Sequence, residues 1–249
     1  MLIHNSEWFF LLVVGTGIFF LGGVVKGTIG IGLPLVAVPA LSLMIPTHQA
    51  MALLAIPVLS SNFWQAYQAK GARHNLQRYW PLISCLIIAT IITVWLTISI
   101  DVTYLKKLLA LSLLIAICQM IFKPSLALTH SREKILAPAI GLLAGVVGGV
   151  SSLTGPVIIT YLLSLKLSRE NFVSSVSLIY FLAALPFYGT MGYFGKIGVH
   201  ELTLSLLALI PVALGMKIGR SLREKIGESL FRKILLILLS MLTLLLLLT

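Results

Sequence analysis

The stretch Gly23–Gly32 reads GVVKGTIGIG and is apolar enough for a membrane, yet it contains four glycines and a lysine, Lys26. A glycine destabilises a helix interior by about 1 kcal/mol relative to alanine. A charged side chain at the centre of a bilayer costs at least about 2.5 kcal/mol. A membrane segment of this composition is expected to interrupt its helix here and to do more than cross the bilayer.

The composition of the whole chain is that of an integral membrane protein. Of the 249 residues, 59% are hydrophobic and 10% are charged, and the mean hydropathy is +1.06. A transmembrane helix needs about 20 apolar residues, so the chain has room for about eight to ten such helices. We therefore expect residues 1–249 to form a single all-α membrane domain with short loops.

Long apolar runs locate these helices. Two runs, Trp8–Ile45 and Ile135–Leu165, are too long for one ordinary crossing and are also rich in glycine. Each of them is expected to form two short helices joined by a break. The remaining runs are Ala50–Tyr67, Trp80–Ile100, Leu108–Phe122, Phe172–Tyr188, Leu202–Met216 and Ile234–Leu248.

The two glycine-rich stretches share one pattern. The spacing Gly-x3-Gly-x2-Gly occurs at residues 23–30 and again at residues 141–148. A proline follows each copy, Pro39 in the first and Pro156 in the second. A pattern repeated at this distance indicates an internal duplication.

The duplication predicts how the two halves are related. Each copy opens a block with an odd number of crossings, so the second block lies upside down relative to the first. We expect two inverted repeats, residues 8–122 and 135–249, each opening with a helical hairpin that glycine and proline break. This architecture is typical of transporters.

Positive charge marks one side of the membrane. Loops 69–79, 123–134, 165–170 and 217–233 carry 3, 3, 2 and 6 lysines plus arginines. Because cytoplasmic loops are enriched in Lys and Arg, these loops are expected in the cytoplasm. The chain is then predicted to lie in the cytoplasmic (inner) membrane with both termini outside. The net charge of +11 reflects this topology, and without a basic-patch motif no nucleic-acid partner is expected.

Broken helices inside a membrane predict an anion site. Their backbone N–H groups and positive helix ends attract anions. All seven acidic residues lie in loops or at the ends of apolar runs, so no intramembrane carboxylate is expected to hold a cation or relay protons. Close helix packing at small residues is the alternative explanation of the glycines. The candidate substrate-binding residues are Lys26, Gly27, Gly30, Gly32, Pro39, Gly145, Gly148, Gly149, Ser151, Ser152, Thr154, Gly155 and Pro156.

Lys26 has two interpretations that the sequence leaves open. As a charge in a membrane segment it belongs to a functional site. Alternatively, its long side chain reaches the headgroups from the turn of the hairpin.

A second group of polar residues follows the two hairpins. Helix capping or headgroup contact is favoured for those in the loops, and gating or coupling is the alternative. Interhelical hydrogen bonds explain those inside helices, and lining of a substrate pathway is the alternative. The loop residues are His48, Gln49, Arg169, Glu170 and Asn171, and the helix residues are Ser60, Ser61, Asn62, Ser174, Ser175 and Ser177.

The paired motifs resemble those of the TauE/SafE family of sulfite and organosulfonate exporters. They are GVVKGTIGIGLPLVAVPAL from Gly23 and GLLAGVVGGVSSLTGPVIITYLL from Gly141. The resemblance covers nearly the whole chain. By position, the matching residues are Gly27, Gly30, Gly32, Pro39, Gly145, Gly148, Gly149, Gly155 and Pro156.

The resemblance implies secondary transport of small anions, many of them sulfur-containing, across the cytoplasmic membrane. Two features depart from the family pattern. The chain has GIGLP where the family commonly runs several glycines together, and Lys26 stands where a small or apolar residue is usual.

Taken together, these features predict an exporter of a small anion such as sulfite or an organosulfonate, with alternating access to a site between the two hairpins. An anion channel and a non-transporting membrane assembly partner are the alternatives. His48, a proton moving with the anion, or the membrane potential remain open as the source of coupling. No nucleophile elbow, HExxH or Walker sequence is present, so neither an enzyme nor a cofactor or metal site is expected. The expected partners are the lipid bilayer and the anion, and a homodimer is left open.

Overall fold

The computed structural model describes residues 2–30, 32–68, 72–122, 130–225 and 228–248. Within these ranges the chain is all α-helical and contains no strand. The helices are α1 (Leu2–Ile29), α2 (Leu33–Ser42), α3 (Thr47–Ala52), α4 (Ala55–Gln68), α5 (Ala72–Thr97), α6 (Val102–Phe122), α7 (His130–Ser151), α8 (Gly155–Ser164), α9 (Arg169–Tyr193), α10 (Val199–Lys225) and α11 (Glu228–Leu248).

The prediction of an all-helical, multi-pass membrane protein is confirmed. Seven helices in the described ranges are long and apolar enough to cross a bilayer. They are α1, α5, α6, α7, α9, α10 and α11. The apolar helices α2 and α8 have 10 residues each, which at 1.5 Å per residue is about half of a ~30 Å hydrocarbon core. The inverted relation of the two repeats stays a prediction.

Several predicted helix limits differ from those observed. The run Ala50–Tyr67 divides into α3 and α4, because Pro57 has no N–H to bond the carbonyl of Leu53. The basic segments 69–79 and 217–233, expected as loops, are mostly helical in α5, α10 and α11. Lys and Arg are good helix formers, so a charged segment can extend a membrane helix beyond the bilayer.

Glycines bring two pairs of helices into close contact. On α1, a Cβ on Gly23 would lie 2.5 Å from the carbonyl oxygen of Val212 on α10. A Cβ on Gly27 would overlap the carbonyl oxygen of Met216 on the same helix α10. On α7, a Cβ on Gly145 would lie 2.6 Å from the carbonyl oxygen of Leu86 on α5. Small residues let membrane helices approach this closely and gain van der Waals contact. The α1–α10 and α5–α7 pairs form the most extensive helix contacts in the described chain.

The chain leaves its helical path between α1 and α2 and between α7 and α8. At the first interruption, Gly30 has φ +84° and Gly32 has φ +100°, a region that favours glycine. At the second, the positive φ of +61° belongs to Ser152. A serine therefore takes the conformation that a glycine takes in the first copy.

The prolines of the two copies correspond differently from the sequence expectation. Pro34 is the second residue of α2 and Pro156 is the second residue of α8. Proline suits the first turn of a helix, where its missing N–H needs no partner. Pro39, which the repeat pattern paired with Pro156, lies inside α2. Pro34 is thus the structural counterpart of Pro156.

Candidate functional site

Both interruptions line one cavity of about 570 Å³. Lys26 and Gly32 line it from the first interruption, and Ser152 and Thr154 line it from the second. The wall also contains residues of α1, α2, α4, α5, α6, α7, α8, α9 and α11. Residues far apart in the sequence, in both predicted repeats, therefore share one enclosed space.

Two helices begin at the wall of this cavity. Pro34 and Leu35 in the first turn of α2 line it, as do Gly155 and Pro156 in the first turn of α8. The first backbone N–H groups of a helix have no intrahelical partner, and the helix dipole adds partial positive charge there. No side chain of the N-cap residues bonds these N–H groups. Both helix ends therefore direct positive potential towards the cavity.

Lys26 adds a full positive charge. Its residue is only 2% exposed, and its Nζ atom donates a hydrogen bond to Oδ1 of Asn62, which also lines the cavity. In the described part of the chain, no carboxylate lies within ion-pair distance of Lys26. Since the side chain is enclosed by protein, it does not extend to the headgroups.

Three further polar groups line the cavity and were missed from the sequence. The hydroxyls of Thr90 and Tyr180 and the side-chain carbonyl oxygen of Gln119 are buried and have no hydrogen-bond partner among the described residues. A buried polar group without a partner costs about 1–3 kcal/mol. The available sequence signal was their position as polar residues within apolar runs, but many such residues do not face a cavity.

A comparison with known protein families identifies the family of the chain. A family model described as sulfite exporter TauE/SafE matches residues 15–246, nearly the whole chain. The chain belongs to the TauE/SafE family. The resemblance inferred from the paired motifs is confirmed. No curated protein and no solved structure matches the chain.

The predicted substrate-binding residues of the TauE/SafE protein fall into two groups. One group lines the cavity, and the other lies outside the cavity wall. The cavity group contains Lys26, Gly32, Gly148, Ser152, Thr154, Gly155 and Pro156.

The remaining candidates lie outside the cavity wall. Gly27, Gly145 and Gly149 lie against α10 or α5, where close helix packing accounts for them. Gly30 occupies the first interruption and Pro39 is buried in α2. The hydroxyl of Ser151 is buried and donates to the carbonyl of Val147 at 2.7 Å.

The predicted pathway residues of the first half are dispersed. Of these, only Asn62 lines the cavity. Ser60 and Ser61 donate to carbonyls one turn earlier in α4, so their hydrogen bonds stay within one helix. His48 and Gln49 are half-buried in α3, and Nε2 of His48 lies 3.3 Å from the carbonyl oxygen of Thr97.

The corresponding residues of the second half surround the start of α9. Ser168 caps this helix by accepting a hydrogen bond from the backbone N–H of Asn171. Capping was predicted for the three residues that follow, but Ser168 is the residue that caps the helix. Asn75 of α5 donates to Ser174 at 2.7 Å. Ser175 is fully buried. The side chain of Arg169 lies outside the described part of the structure.

Three residues of the cavity wall are exposed. The exposed members of its wall are Ile29, Leu163 and Lys166, and Arg232 lies on the same wall and donates to the carbonyl of Ile121 at 3.5 Å. Lys166 and Arg232 therefore add two cations to the cavity wall.

Glu133 is a further residue whose position the sequence did not reveal. It was expected in a loop, but it lies in the first turn of α7 and is 5% exposed. Both of its carboxylate oxygens accept from Arg78 of α5, at 2.7 and 2.9 Å. The pair stands outside the cavity wall, and no Asp or Glu among the described residues lines the cavity. The described cavity wall therefore offers positive charge and hydrogen-bonding groups, but it offers no carboxylate that could bind a cation.

Proposed function

We propose that this TauE/SafE protein is a secondary transporter that exports a small anion, such as sulfite or an organosulfonate, from a site between α1–α2 and α7–α8. The observation that carries the proposal is the buried charge of Lys26, which faces the cavity and has no carboxylate beside it in the described chain. An isolated buried cation is costly, and a bound anion offsets that cost. The anion would receive hydrogen bonds from Lys26 and from the first turns of α2 and α8.

Alternating access is the proposed mechanism. The α1–α10 pair takes one helix from each predicted repeat, and so do α5–α7, α4–α9 and α6–α11. Exchanging the two repeats turns the α1–α10 pair into the α7–α5 pair, a relation that supports a two-fold relation between the repeats. A movement of one group of helices against the other would expose the cavity alternately to the two sides.

Export can draw on the membrane potential. In the proposed direction of transport, the anion binds from inside the cell. A monovalent anion that leaves an inside-negative cell then gains about 2.3 kcal/mol per 100 mV. No carboxylate in the cavity wall is required for this mode of coupling.

Uptake into proteoliposomes tests the proposal. Sulfite, sulfate, thiosulfate, methanesulfonate and acetate are supplied in turn, and saturation and counterflow are measured. We expect at least one sulfur oxyanion to bind and move. Binding and movement of none of these anions would refute the proposal, and a conductance far above carrier rates would identify a channel instead.

A pair of lysine variants locates the site. Lys26→Met keeps the length of the side chain and removes its charge, and we expect roughly tenfold weaker anion binding or more. The matched control is Lys107→Met, since Lys107 is exposed and lies over the ring of Tyr104. Equal anion affinity in both variants would exclude Lys26 from the site.

A further inference from the structure

The cavity is larger and more apolar than an inorganic oxyanion requires. A volume of about 570 Å³ lies within the range of roughly 300–1,000 Å³ that encloses drug-sized organic ligands. Sulfite would fill only a small part of it. The remaining space is bounded largely by hydrocarbon, including Leu35, Met120, Ile159 and Phe187.

Hydrocarbon walls favour a hydrocarbon ligand. Water in an apolar cavity lacks the two to four polar partners that it needs. An apolar group in the same space loses its own contact with water and gains dispersion contacts with the wall. The part of the cavity beside Ile159 and Phe187 therefore suits an uncharged organic group.

The polar groups of the wall restrict the charged part of the ligand. Lys26 is the buried cation of the described wall and pairs with one negative charge, since Lys166 is exposed and Arg232 is half-buried. Asn62 and Gln119 supply hydrogen-bonding groups. In the described chain no carboxylate lines the cavity, so an ammonium group on the ligand would have no counter-charge. The wall therefore disfavours zwitterions and favours an anion whose remaining atoms are neutral.

The exposed part of the wall has the same dual character. Lys166 is an exposed cation, whereas Ile29 and Leu163 are exposed apolar side chains. Arg232, which is half-buried, adds a further positive charge to the wall. Leu163 is 59% exposed. A ligand with one anionic end and one apolar end matches both kinds of group.

We infer that the preferred ligand of this cavity is an amphiphilic organic monoanion, with its anionic group at Lys26 and Asn62 and an uncharged hydrocarbon body of several carbons along the wall beside Ile159. The inference rests on the proposed function, because it assigns the substrate class of the same site. It differs from that function in ranking such an anion above sulfite and above small polar sulfonates.

A homologous series of alkanesulfonates tests the inference. Purified protein is titrated with methane-, butane-, hexane- and octanesulfonate, and affinity is measured by displacement of sulfite. Burial of each additional methylene is expected to strengthen binding roughly threefold to fourfold until the wall is filled. An affinity independent of chain length would overturn the inference, while displacement by methanesulfonate would still support an anion transporter. Failure of every anion to bind would refute both.

Two probes separate binding in the cavity from partitioning into detergent or lipid. Alkylammonium ions and alkanols of the same chain lengths carry the same hydrocarbon without the negative charge. We expect neither series to displace sulfite at the concentrations at which the sulfonates do. Equal displacement by either series would overturn the inference, because the charge of the ligand would then be irrelevant.

Substitutions in the wall locate the hydrocarbon body. Ile159→Thr makes the wall more polar, and we expect it to weaken octanesulfonate binding several-fold and to leave methanesulfonate binding nearly unchanged. The control is Ile140→Thr, the same change at a half-buried position of α7 outside the cavity wall. Leu163→Ser makes the same test at an exposed position of the wall. An unchanged chain-length dependence in both wall variants would overturn the inference.

Discussion

The Nζ atom of Lys26 on α1 donates a hydrogen bond to Oδ1 of Asn62 on α4, and both side chains line the cavity. The amide oxygen orients the ammonium group without neutralising it, so the positive charge remains available to a ligand. A carboxylate at position 62 would instead form an ion pair with Lys26.

Asn62→Asp is therefore expected to weaken anion binding about tenfold or more, since a buried ion pair competes with the ligand for the same charge. Isothermal titration with the best-bound sulfur oxyanion measures the loss. The fold should be retained, because the substitution keeps the size of the side chain and satisfies Lys26. An affinity equal to that of the unmodified protein would show that the anion does not contact Lys26.

Gly27→Ala is expected to separate α1 from α10. The new methyl group would overlap the carbonyl oxygen of Met216, and overpacking of this kind destabilises a protein by about 1–3 kcal/mol. Gly17→Ala makes the same change in the same helix at a site with no neighbouring atom within 4 Å. Thermal unfolding in detergent should show a lower midpoint for the first variant only.

Gly148→Ala is expected to distort the interruption between α7 and α8. Its methyl group would overlap Oγ1 of Thr154. In the double variant with Thr154→Ala that atom is absent, so most of the lost stability should return. A double-mutant cycle measures the coupling between the two positions, and additive losses of stability would contradict the proposed contact.

Glu133→Gln is expected to destabilise the protein by about 1–3 kcal/mol, because Arg78 keeps a hydrogen-bond acceptor but loses its counter-charge. Glu133 is buried and joins α7 to α5 through two hydrogen bonds. Glu170→Gln is the control, since Glu170 is exposed at the start of α9. Chemical unfolding curves of the two variants should differ, and equal stabilities would show that the ion pair contributes nothing.

His48 predicts a dependence of stability on pH. Burial and the nearby charge of Lys196 lower the pKa of His48 in the folded protein, while the carbonyl of Thr97 opposes this shift. The folded state therefore favours the neutral ring. The stability that the neutral ring of His48 contributes is fully present above the pKa of histidine in the unfolded chain, about 6.5. It is lost as the pH falls through the lower pKa of His48 in the folded protein.

Thermal unfolding at pH 7.5 and at pH 5.5 measures this effect. We expect the melting temperature of the unmodified protein to fall at the lower pH and that of His48→Gln to fall less. Glutamine can still donate to the carbonyl of Thr97, so the variant removes the titration and keeps the hydrogen bond. An identical fall in both proteins would assign the pH dependence to other groups.

Hydropathy was sufficient to predict an all-helical membrane protein, because the bilayer requires long apolar helices. It could not predict the extension of α10 to Lys225, which depends on helix propensity outside the bilayer. Nor could the repeat pattern show that Pro34, not Pro39, corresponds to Pro156. That correspondence depends on the residue at which each helix begins.

The candidate site was only partly predictable. Lys26, Gly32 and the SSLTG segment from Ser151 were recognisable as charge, glycine and hydroxyl groups in apolar sequence. Thr90, Gln119 and Tyr180 belong to α5, α6 and α9, and only the packing of these helices brings them to one cavity. The burial of Glu133 depends on contact with Arg78 on another helix, so it could not be predicted from the sequence either.

The contact between Gly23 of α1 and Val212 of α10 has a consequence for biosynthesis. Helix α1 finds this neighbour only when α10 has been made. Until then its glycine face must stay against lipid or the insertion machinery. Synthesis must therefore pass α10 before this contact forms, and it must reach α11 before the cavity wall is complete. The two halves, made as separate chains, would each need the other to complete their packing.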